Sequence, residues 1–551
     1  MVSNEQRALV SPLARSVLIA VAILATQSLG QGSEKKFYAD DPLLAEPAPR
    51  PVKSITTRHV NEAYDFLYNS LAVPRFRSGS AQGSPDRALD ANTLGDVPDN
   101  AWYTKRHFFR RMSIEDLKRG PGNSTQPSPT GLWRVVSAKS DGVTPGFVIE
   151  DKQKNRYLLK LDSPEYPELS SATDMIGSKF FYALGYNTPE NYIVRFHREK
   201  LEVSEGAFWR DPSGVKRPIT ERVLNELLKH QRTGPDGSYR ALASRWIAGK
   251  LLGPFTYDGA RADDPNDTIP HENRRVLRGL RVFGAWLNHQ DTRSMNTMDT
   301  LVTEGGIPHV KHYLMDFGSI LGSNATRPKD AWSGNQFVFE HKEALVQIAT
   351  LGLYVPKWAR AETPTIRGAG FFNAGGFDPI SWKPTYPNLA FLRMDREDAF
   401  WAAKQVAAFS EAEIRAIVET GEYSDPRATE WMTQCLLGRA AKIVEAWLSH
   451  VSPLDKFAVV DGKLTFEDVR RGYSDGPLRQ FTVRWASWDG DGRTEPLPNA
   501  AGPEVPDVRS SDGKYLAATV ACAGIGACEK PVTVYLRRSE TGHEEVVGID
   551  R

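Results

Sequence analysis

The sequence predicts an α+β protein with an all-β module at its C-terminal end, and three patterns carry that prediction. Short strand-like runs separated by turn residues fill Leu132 to Leu161, which indicates a small antiparallel sheet. Apolar residues then recur at helical spacing in segments such as Ser170 to Leu184 and Arg427 to Leu448. From Phe457 onward the pattern returns to short strands and turns, which predicts a further β-rich unit.

The chain is long enough for more than one hydrophobic core, since 40% of its 551 residues are hydrophobic. Pro-rich and Gly-rich stretches mark the linkers between the predicted units. The predicted order is a signal peptide over 1–31, an N-terminal extension with linkers over 32–131, a sheet-rich unit over 132–253, a helical unit over 254–450 and the β-rich module over 451–551.

The first residues have the pattern of an export signal. Arg7 and Arg15 precede an apolar run from Val17 to Ala25. The small residues Ser28 and Gly30 then supply a cleavage site. The alternative is an N-terminal tail without that role. Because the apolar run is short for a membrane span, we expect an exported protein, periplasmic or extracellular, with no stable membrane span after signal removal.

Net charge and cysteine content limit which partners and which cellular compartment we expect. The formal net charge is +1, so no overall field favours nucleic acid, and we expect no nucleic-acid partner. Cys522 and Cys528 flank a flexible loop and can form a disulfide in an exported protein. Cys435 lies in a helical pattern, which predicts a buried and unreactive thiol.

The stretch from Trp286 to Gly318 carries the strongest chemical signal in the chain. Its first half contains the pattern H-x-D-x4-N, and its second half ends in D-F-G after a strand-like run. Mg²⁺ prefers octahedral oxygen coordination, and a metal-bound triphosphate needs oxygen ligands from two directions. We therefore expect Asn296 and Asp316 to be metal ligands in a site for phosphoryl transfer.

The remaining polar residues of the first pattern have complementary roles in such a site. We expect Asp291 to accept the proton of the attacking hydroxyl or to orient that hydroxyl. Arg293, two positions later, is expected near the transferring phosphate, where it would offset charge. His289 is either a structural residue or a catalytic base. The structural interpretation, in which it packs under the metal loop and hydrogen-bonds backbone, is what the resemblance described next implies.

These two motifs resemble those of the protein kinase-like superfamily, whose catalytic loop reads H-R-D-x-x-x-x-N and whose metal loop reads D-F-G. Asn296 and Asp316 are farther apart than in ordinary protein kinases, with Thr297–Val302 and Val310–Met315 as an enlarged strand-turn-strand. That departure, with the missing A-P-E motif, points to an atypical branch such as the HipA-like or CotH-like kinases. The resemblance covers Leu132 to Leu448 and implies a two-lobed protein kinase-like fold, with a small antiparallel-sheet N-lobe and a helical C-lobe.

The resemblance also implies the residues that bind nucleotide. Lys160, near the end of the third strand, matches the lysine that pairs the α- and β-phosphates. That lysine is held by an acidic residue on the following helix, for which Asp174 is the best placed candidate and Glu168 the second. Gly142 and Gly146 lie in the turn that would cover the phosphates, although this turn does not match G-x-G-x-x-G.

Taken with the resemblance, the residues imply an exported atypical kinase that transfers the γ-phosphate of ATP to a hydroxyl acceptor with Mg²⁺ or Mn²⁺. The acceptor stays open between a protein, a small molecule and a glycan. One alternative is a pseudokinase that binds a partner, but a pure scaffold need not retain several costly charges together. A second alternative is nucleotidyl transfer, because the metal and phosphate ligands are of the same types.

Two further clusters have both a functional and a structural interpretation. The acidic stretch from Asp258 to Asp267 is either a site for a cation or basic substrate, or a loop that caps the next helix. His309 and His312 suggest a metal pair, but on a strand these positions point to opposite faces. We therefore do not expect them to share one metal.

Overall fold

The computed structural model describes residues 41–76, 87–123, 126–139, 144–211, 214–449, 451–473, 480–489, 493–507, 515–523, 530–539 and 542–551. The predicted signal peptide, Gly142 and Cys528 lie outside the described residues. Within that part of the chain, a seven-stranded sheet and a three-stranded sheet accompany a helical region, and antiparallel strands follow. The predicted α+β class with a C-terminal all-β part is confirmed.

The seven-stranded sheet occupies the region where a small antiparallel sheet is predicted. Its strand order is β4-β7-β3-β2-β1-β5-β6, and every neighbouring pair is antiparallel except the parallel pair β1 and β5. Its strands are β1 (Trp133–Ala138), β2 (Gly146–Glu150), β3 (Arg156–Leu161), β4 (Asn191–Phe196), β5 (Leu201–Arg210), β6 (Lys216–Pro218) and β7 (Tyr239–Arg245).

Strand β3 lies in the interior of this sheet, between β7 and β2, and its sequence, R-Y-L-L-K-L, has apolar residues on both sides of a single lysine. Tyr157, Leu159 and Leu161 are buried in the core beneath the sheet. Alternation then places Lys160 on the opposite face, between Gly146 of β2 and Leu242 of β7. A central strand flanked on both sides thus delivers one buried amine to the other face of the sheet.

The three-stranded sheet contains the long hairpin that the sequence predicts after Asn296. Its order is β10-β9-β8, and its strands are β8 (Lys250–Gly253), β9 (Thr297–Glu304) and β10 (Ile307–Leu314). The chain passes from β7 of the seven-stranded sheet to β8 of this sheet after a break of only four residues. Gly249 has a φ of +91°, a left-handed conformation that favours glycine, and it makes this break possible.

The helical region is built around one hydrophobic core. Its core joins large aromatic side chains from several helices, such as Phe180, Trp286 and Trp401. Among the residues that the structure describes, the α-helices are α1 (Glu62–Leu67), α2 (Val73–Phe76), α3 (Ile114–Arg119), α4 (Leu169–Ala183), α5 (Glu221–Lys229), α6 (Arg275–Leu287), α7 (His341–Ala349), α8 (Leu389–Leu392), α9 (Arg396–Val406), α10 (Glu411–Glu419) and α11 (Pro426–Leu448).

The helices predicted at Ser170–Leu184 and Arg427–Leu448 are present as α4 and α11, and each begins one residue earlier than predicted. Capping explains where other helices begin. A capping box starts α10, with Ser410 and Glu413 bonded reciprocally. Helix α1 begins directly after Asn61, whose side chain caps it. Helix α6 likewise begins after a short 3₁₀ turn, where Asp90 accepts a hydrogen bond from the Arg275 amide at 2.5 Å.

The C-terminal part is antiparallel throughout its described pairs, and it has its own apolar core around Trp485 and Val534. Cys522 is disulfide-bonded. No helix in the described part of the chain is both long and apolar enough to cross a bilayer. The strands are β11 (Leu454–Val460), β12 (Lys463–Asp468), β13 (Gln480–Trp488), β14 (Thr494–Ala501), β15 (Tyr515–Ala523), β16 (Val532–Arg538) and β17 (Glu544–Asp550).

The acidic stretch before α6 forms structural ion pairs. Asp267 is buried between His271 at 2.8 Å and Arg274 at 2.8 Å, and the two partners outweigh the effect of its burial and lower its pKa. His312 contacts Asp299 at 2.7 Å. In the described residues no three His, Cys, Asp or Glu side chains form a group able to hold a metal. The stretch is thus structural, but its side chains do not cap the next helix as the capping interpretation expects, because Asp90 accepts from the first amides of α6 instead.

Candidate active site

The lysine of β3 and two aspartates meet at one point between the seven-stranded sheet and the helical region. The Nζ atom of Lys160 lies 2.8 Å from Oδ2 of Asp174 on α4 and 2.9 Å from Oδ1 of Asp316. These residues are separated by up to 156 positions in sequence. Glu168, the second candidate partner, instead bonds the Ser424 amide and hydroxyl, so Asp174 holds the lysine.

The two carboxylates of this cluster differ in exposure, and their pKa values shift in opposite directions. Burial alone would lower the pKa of Lys160, but the two aspartates outweigh it and raise that pKa. Asp174 has a side chain only 2% exposed, and its burial raises its pKa. The Asp316 side chain is 41% exposed, and Lys160 lowers its pKa to about 2. Asp316 is thus a carboxylate that a cation in the cleft can reach.

The backbone around Asp316 is built to present this carboxylate. Asp316 has a φ of +61°, a left-handed conformation that is uncommon for a residue other than glycine. The next amide, of Phe317, donates to Oδ1 of Asp174 at 3.1 Å, so the helix acid also fixes the metal loop. The Phe317 ring is buried and stacks on Phe181 of α4, with ring centroids 4.9 Å apart.

The long hairpin does not separate the two predicted metal ligands, because its register returns the chain to its starting point. Thr297, the first residue of β9, pairs with Leu314, the last residue of β10. Just beyond that pair, the Met315 amide donates to the Asn296 carbonyl at 3.0 Å. Asn296 and Asp316 therefore leave the same end of the hairpin side by side. The extra residues extend away from the site without changing it.

Asp291 and Asn296 belong to one tight loop. The Asn296 side-chain amide donates to the Asp291 carbonyl at 2.7 Å, which fixes the loop between them. Arg293, expected near the transferring phosphate, pairs with the Asp291 carboxylate and also lies 2.5 Å from Glu62 in α1. In this state its charge is already neutralised. The N-terminal helix therefore contacts the catalytic loop, which local sequence patterns do not indicate.

His289 packs under the metal loop, as the structural interpretation expects. Its ring contacts Phe181 and Phe317 edge-to-face, and it is 2% exposed. Burial lowers its pKa to about 4. Its Nδ1 atom has no hydrogen-bond partner among the described residues, so this atom does not make the expected hydrogen bond to backbone. A neutral, enclosed imidazole favours the structural interpretation over a catalytic base.

Packing around position 146 leaves room only for glycine. This explains the residue but does not test its expected role in covering the phosphates. A Cβ atom at this position would lie 2.1 Å from the Leu159 carbonyl oxygen of β3. Gly146 pairs directly with Lys160 across the strands. Gly142 lies outside the described residues. Between them, Thr144 accepts a hydrogen bond from the Lys139 ammonium, at 2.6 Å from the threonine hydroxyl.

Two lysines near the site have no signal in any short motif. Lys139 follows β1 and contributes electrostatically to lowering the pKa of Asp316. Lys329 lies after the metal loop, is 5% exposed, and donates to Oε1 of Gln290 at 3.2 Å. Burial lowers the pKa of Lys329 to about 8, while Asp291 acts in the opposite direction. Only tertiary packing brings Lys329 to the catalytic loop.

The residues present fit a divalent cation that a nucleotide brings with it. Asn296 and Asp316 offer an amide and a carboxylate, which are the oxygen donors Mg²⁺ and Mn²⁺ accept. Mg²⁺ usually keeps several waters and is held by one or two carboxylates plus phosphate oxygens. Two protein donors at the edge of the cleft therefore suffice only when phosphate is also present.

The protein has little detectable relation to known ones. No protein-family model matches the sequence, and no curated protein matches it. Among solved structures, the Golgi casein kinase is similar with a TM-score of 0.31 and 10% identity, over 75% of this chain and 96% of that one. Its structure with Mn and ADP bound is similar with a TM-score of 0.27 and 10% identity, over 73% and 96%. Likeness at this level carries no conclusion about function.

Proposed function

We propose that this protein is an atypical, kinase-like phosphotransferase that uses a nucleoside triphosphate and Mg²⁺ or Mn²⁺. The contact of Lys160 with both Asp174 and Asp316 supports this most directly. In kinase-type phosphoryl transfer, a strand lysine held by a helix acid binds the phosphates and a metal-loop aspartate binds the metal, and this contact brings those three groups together. Assignment to the HipA-like or CotH-like branch stays a prediction.

Each side chain has a defined task in this proposal. Lys160 binds the α- and β-phosphates, and Asp174 holds it in place. Asn296 and Asp316 hold the metal, which when bound neutralises charge on the phosphate oxygens. Asp291 orients the acceptor hydroxyl and takes its proton as the oxygen attacks the γ-phosphorus. The bond from that phosphorus to the β-phosphate oxygen breaks, and the nucleoside diphosphate leaves.

The energetic cost of the cluster favours an enzyme over a binding scaffold. Lys160 and Asp174 are both almost fully removed from water, and burying charges is expensive even when they pair. A scaffold of the same shape could fill this position with apolar side chains at equal or better stability. The cluster also leaves Asp316 accessible, which a purely structural ion pair does not need.

A thermal-shift titration with ATP and either metal tests the proposal. At a nucleotide concentration one hundred times Kd, binding to the folded state adds about 2.7 kcal/mol of stability. We expect that stabilisation in the parent, and we expect Asp316→Ala and Lys160→Ala to weaken it about tenfold or more in affinity. Glu304→Ala is the matched control, because it removes an exposed carboxylate at the far end of the same hairpin.

The outcomes separate the candidate functions. No stabilisation of the parent by any nucleotide and metal would support the pseudokinase alternative. Stabilisation that Asp316→Ala and Lys160→Ala both retain would place the nucleotide elsewhere. Mass spectrometry of the modified acceptor, or of the protein itself, then distinguishes an added phosphate from an added nucleotide. A nucleotide adduct would replace phosphoryl transfer with nucleotidyl transfer.

We also propose that the protein is exported. The basic, apolar and small-residue pattern at the N-terminus supports this, and so does the disulfide at Cys522, since disulfides persist in oxidising compartments. A C-terminally tagged full-length chain should be recovered outside the cytoplasm, with an N-terminus near residue 31. Recovery of the uncleaved chain in the cytoplasm would contradict export.

A further inference from the structure

The cations around the cleft differ in whether a carboxylate already neutralises them. Lys160 is paired with Asp174 and Asp316. Arg293 is paired with Asp291 and Glu62. Lys329 forms no salt bridge with a carboxylate in the described part of the chain, and its one described side-chain hydrogen bond goes to the neutral amide of Gln290. A buried lysine without an anionic partner is rare in proteins, since burial penalises the charge.

The loop that faces Lys329 is also incompletely bonded. Apart from Nε of Arg293, which is ion-paired with Asp291, three buried atoms in it have no hydrogen-bond partner among the described residues, namely Nδ1 of His289, Nε2 of Gln290 and Oγ1 of Thr292. The side-chain amide of Gln290 gives the reason for one of these atoms. Its oxygen accepts a hydrogen bond from the Lys329 ammonium, so its nitrogen points away and has no acceptor among the described residues. Buried polar atoms are bonded in the great majority of cases, so such a cluster marks a site that a ligand or water completes.

Lys329 lies on the Asp291 side of the cleft, because its ammonium contacts the side chain of Gln290, the residue next to Asp291, at 3.2 Å. Electrostatic interactions link it to Asp291 and to His289, while Lys160 is linked to Asp174 and Asp316. The cleft thus has one cation for the proximal phosphates and another beside the residue that orients the acceptor. The transferred phosphoryl group passes between these two positions, and its equatorial oxygens carry the charge.

We propose that Lys329 is an anion-binding residue for the transferred phosphoryl group, with its ammonium supplying the charge that Arg293 does not. The proposal rests on the phosphotransferase function above. Lys329 donates hydrogen bonds to a γ-phosphate oxygen, and Gln290 holds it in position. No bond to Lys329 forms or breaks during transfer. The incoming phosphate provides the counter-charge that the free protein lacks.

The test compares binding of a nonhydrolysable triphosphate, Mg-AMP-PNP, with binding of Mg-ADP by calorimetry at pH 7. We expect Lys329→Met to lose about tenfold in affinity for AMP-PNP and to keep the parent's affinity for ADP, since only the triphosphate has the third phosphate. Lys329→Arg should restore the preference, because it keeps a cation at the same position. Equal affinities of Lys329→Met and the parent for AMP-PNP would overturn the proposal.

Lys179 offers a matched control for loss of a buried lysine. It is 2% exposed, burial also lowers its pKa to about 8, and it donates to the Arg119 carbonyl at 2.7 Å. Lys179→Met should therefore resemble Lys329→Met in stability and leave the preference for AMP-PNP over ADP unchanged. Loss of that preference in both variants would show a general structural effect and overturn a role in phosphate binding.

The pH dependence of nucleotide binding distinguishes phosphate binding by Lys329 from a purely structural role, because a structural lysine would not change the preference for AMP-PNP. Binding needs the protonated amine, and the groups that act on Lys329 electrostatically are Asp291 and His289. In the parent, the preference for AMP-PNP should fall as pH rises through about 8, and in Lys329→Arg it should persist to pH 9.5. Identical pH dependences would contradict the proposal. A parent that binds neither nucleotide would instead refute the proposed function itself.

Discussion

Two buried charge clusters in this protein have similar chemistry and different surroundings. At the cleft, Lys160 joins Asp174 and Asp316. In the helical region, Arg275 of α6 joins Asp398 of α9 at 2.9 Å. The first cluster ends in a carboxylate that is 41% exposed, whereas both side chains of the second pair are at most 1% exposed. We refer to them as the open cluster and the sealed cluster.

The comparison shows that burial of an ion pair is a poor indicator of function. The sealed cluster is fully satisfied: Asp398 also contacts Arg278 at 3.5 Å and closes the capping box of α9 with Asp395. It joins two helices, and its outer member, Glu397, is 46% exposed and pairs with Arg275 at 3.1 Å. The open cluster also has an accessible carboxylate, but a loop with polar atoms that lack a partner among the described residues lies nearby. The unsatisfied atoms of that loop, more than burial or exposure, therefore point to the open cluster as the candidate site.

The largest effect should come from Asp291, which lies beside the open cluster. Asp291→Asn removes the proton acceptor and keeps the shape of the side chain. We expect basal ATP hydrolysis or autophosphorylation to fall about 10³-fold, within the range for loss of a general base. Affinity for Mg-ATP should stay within about twofold of the parent, as calorimetry would measure. Normal turnover in this variant would remove Asp291 from the mechanism.

The second prediction concerns the sealed cluster. Asp398→Ala removes the buried carboxylate that Arg275 and Arg278 share, so unfolding free energy should fall by about 3 kcal/mol. Denaturant unfolding measures that loss, and nucleotide affinity of the folded protein should be unchanged. Glu397→Ala is the control, because it pairs with the same arginine at 3.1 Å but is 46% exposed, and should cost well under 1 kcal/mol. A nucleotide-binding defect in Asp398→Ala would break the distinction between the clusters.

Sequence predicted the open cluster well because its members lie in motifs with fixed roles. Strand periodicity located Lys160, helical periodicity located Asp174, and the D-F-G pattern located Asp316. The segment between Asn296 and Asp316 is longer than in the motif of ordinary kinases. Because it forms a hairpin in regular register, its two ends still lie side by side. Local pattern therefore sufficed wherever secondary structure alone determines which way a side chain points.

Sequence failed where a residue reaches the site only through tertiary packing. Lys329 lies in an irregular segment with no periodicity, and Glu62 comes from a helix more than two hundred residues before the loop that it contacts. The exact start of α6 depends on Asp90, another distant residue. Such contacts leave no local pattern, because the chain between the partners can take any path that closes.

The third prediction uses His289, which connects the open cluster to the protein interior. Its folded pKa of about 4 lies below the ordinary value of 6.5, so the unfolded chain takes up a proton first as pH falls. Stability should therefore decrease between about pH 6.5 and pH 4, by about 2 kcal/mol at pH 5. Denaturant unfolding at pH 7 and pH 5 measures this loss. His289→Gln should reduce it, whereas His59→Gln, at an exposed histidine, should keep the parent's pH dependence.

The smallest effect should come from Glu62, whose side chain is 65% exposed and pairs with Arg293. Exposed ion pairs contribute little to stability, so Glu62→Gln should leave thermal unfolding unchanged. It should, however, release part of the Arg293 charge toward the cleft, and we expect basal turnover to rise about twofold to threefold. Steady-state kinetics with Mg-ATP measures this rise. A fall in turnover would instead mean that α1 supports the loop from His289 to Asn296. The open cluster would then depend on a helix that is distant in sequence, as the sealed cluster does where α6 meets α9.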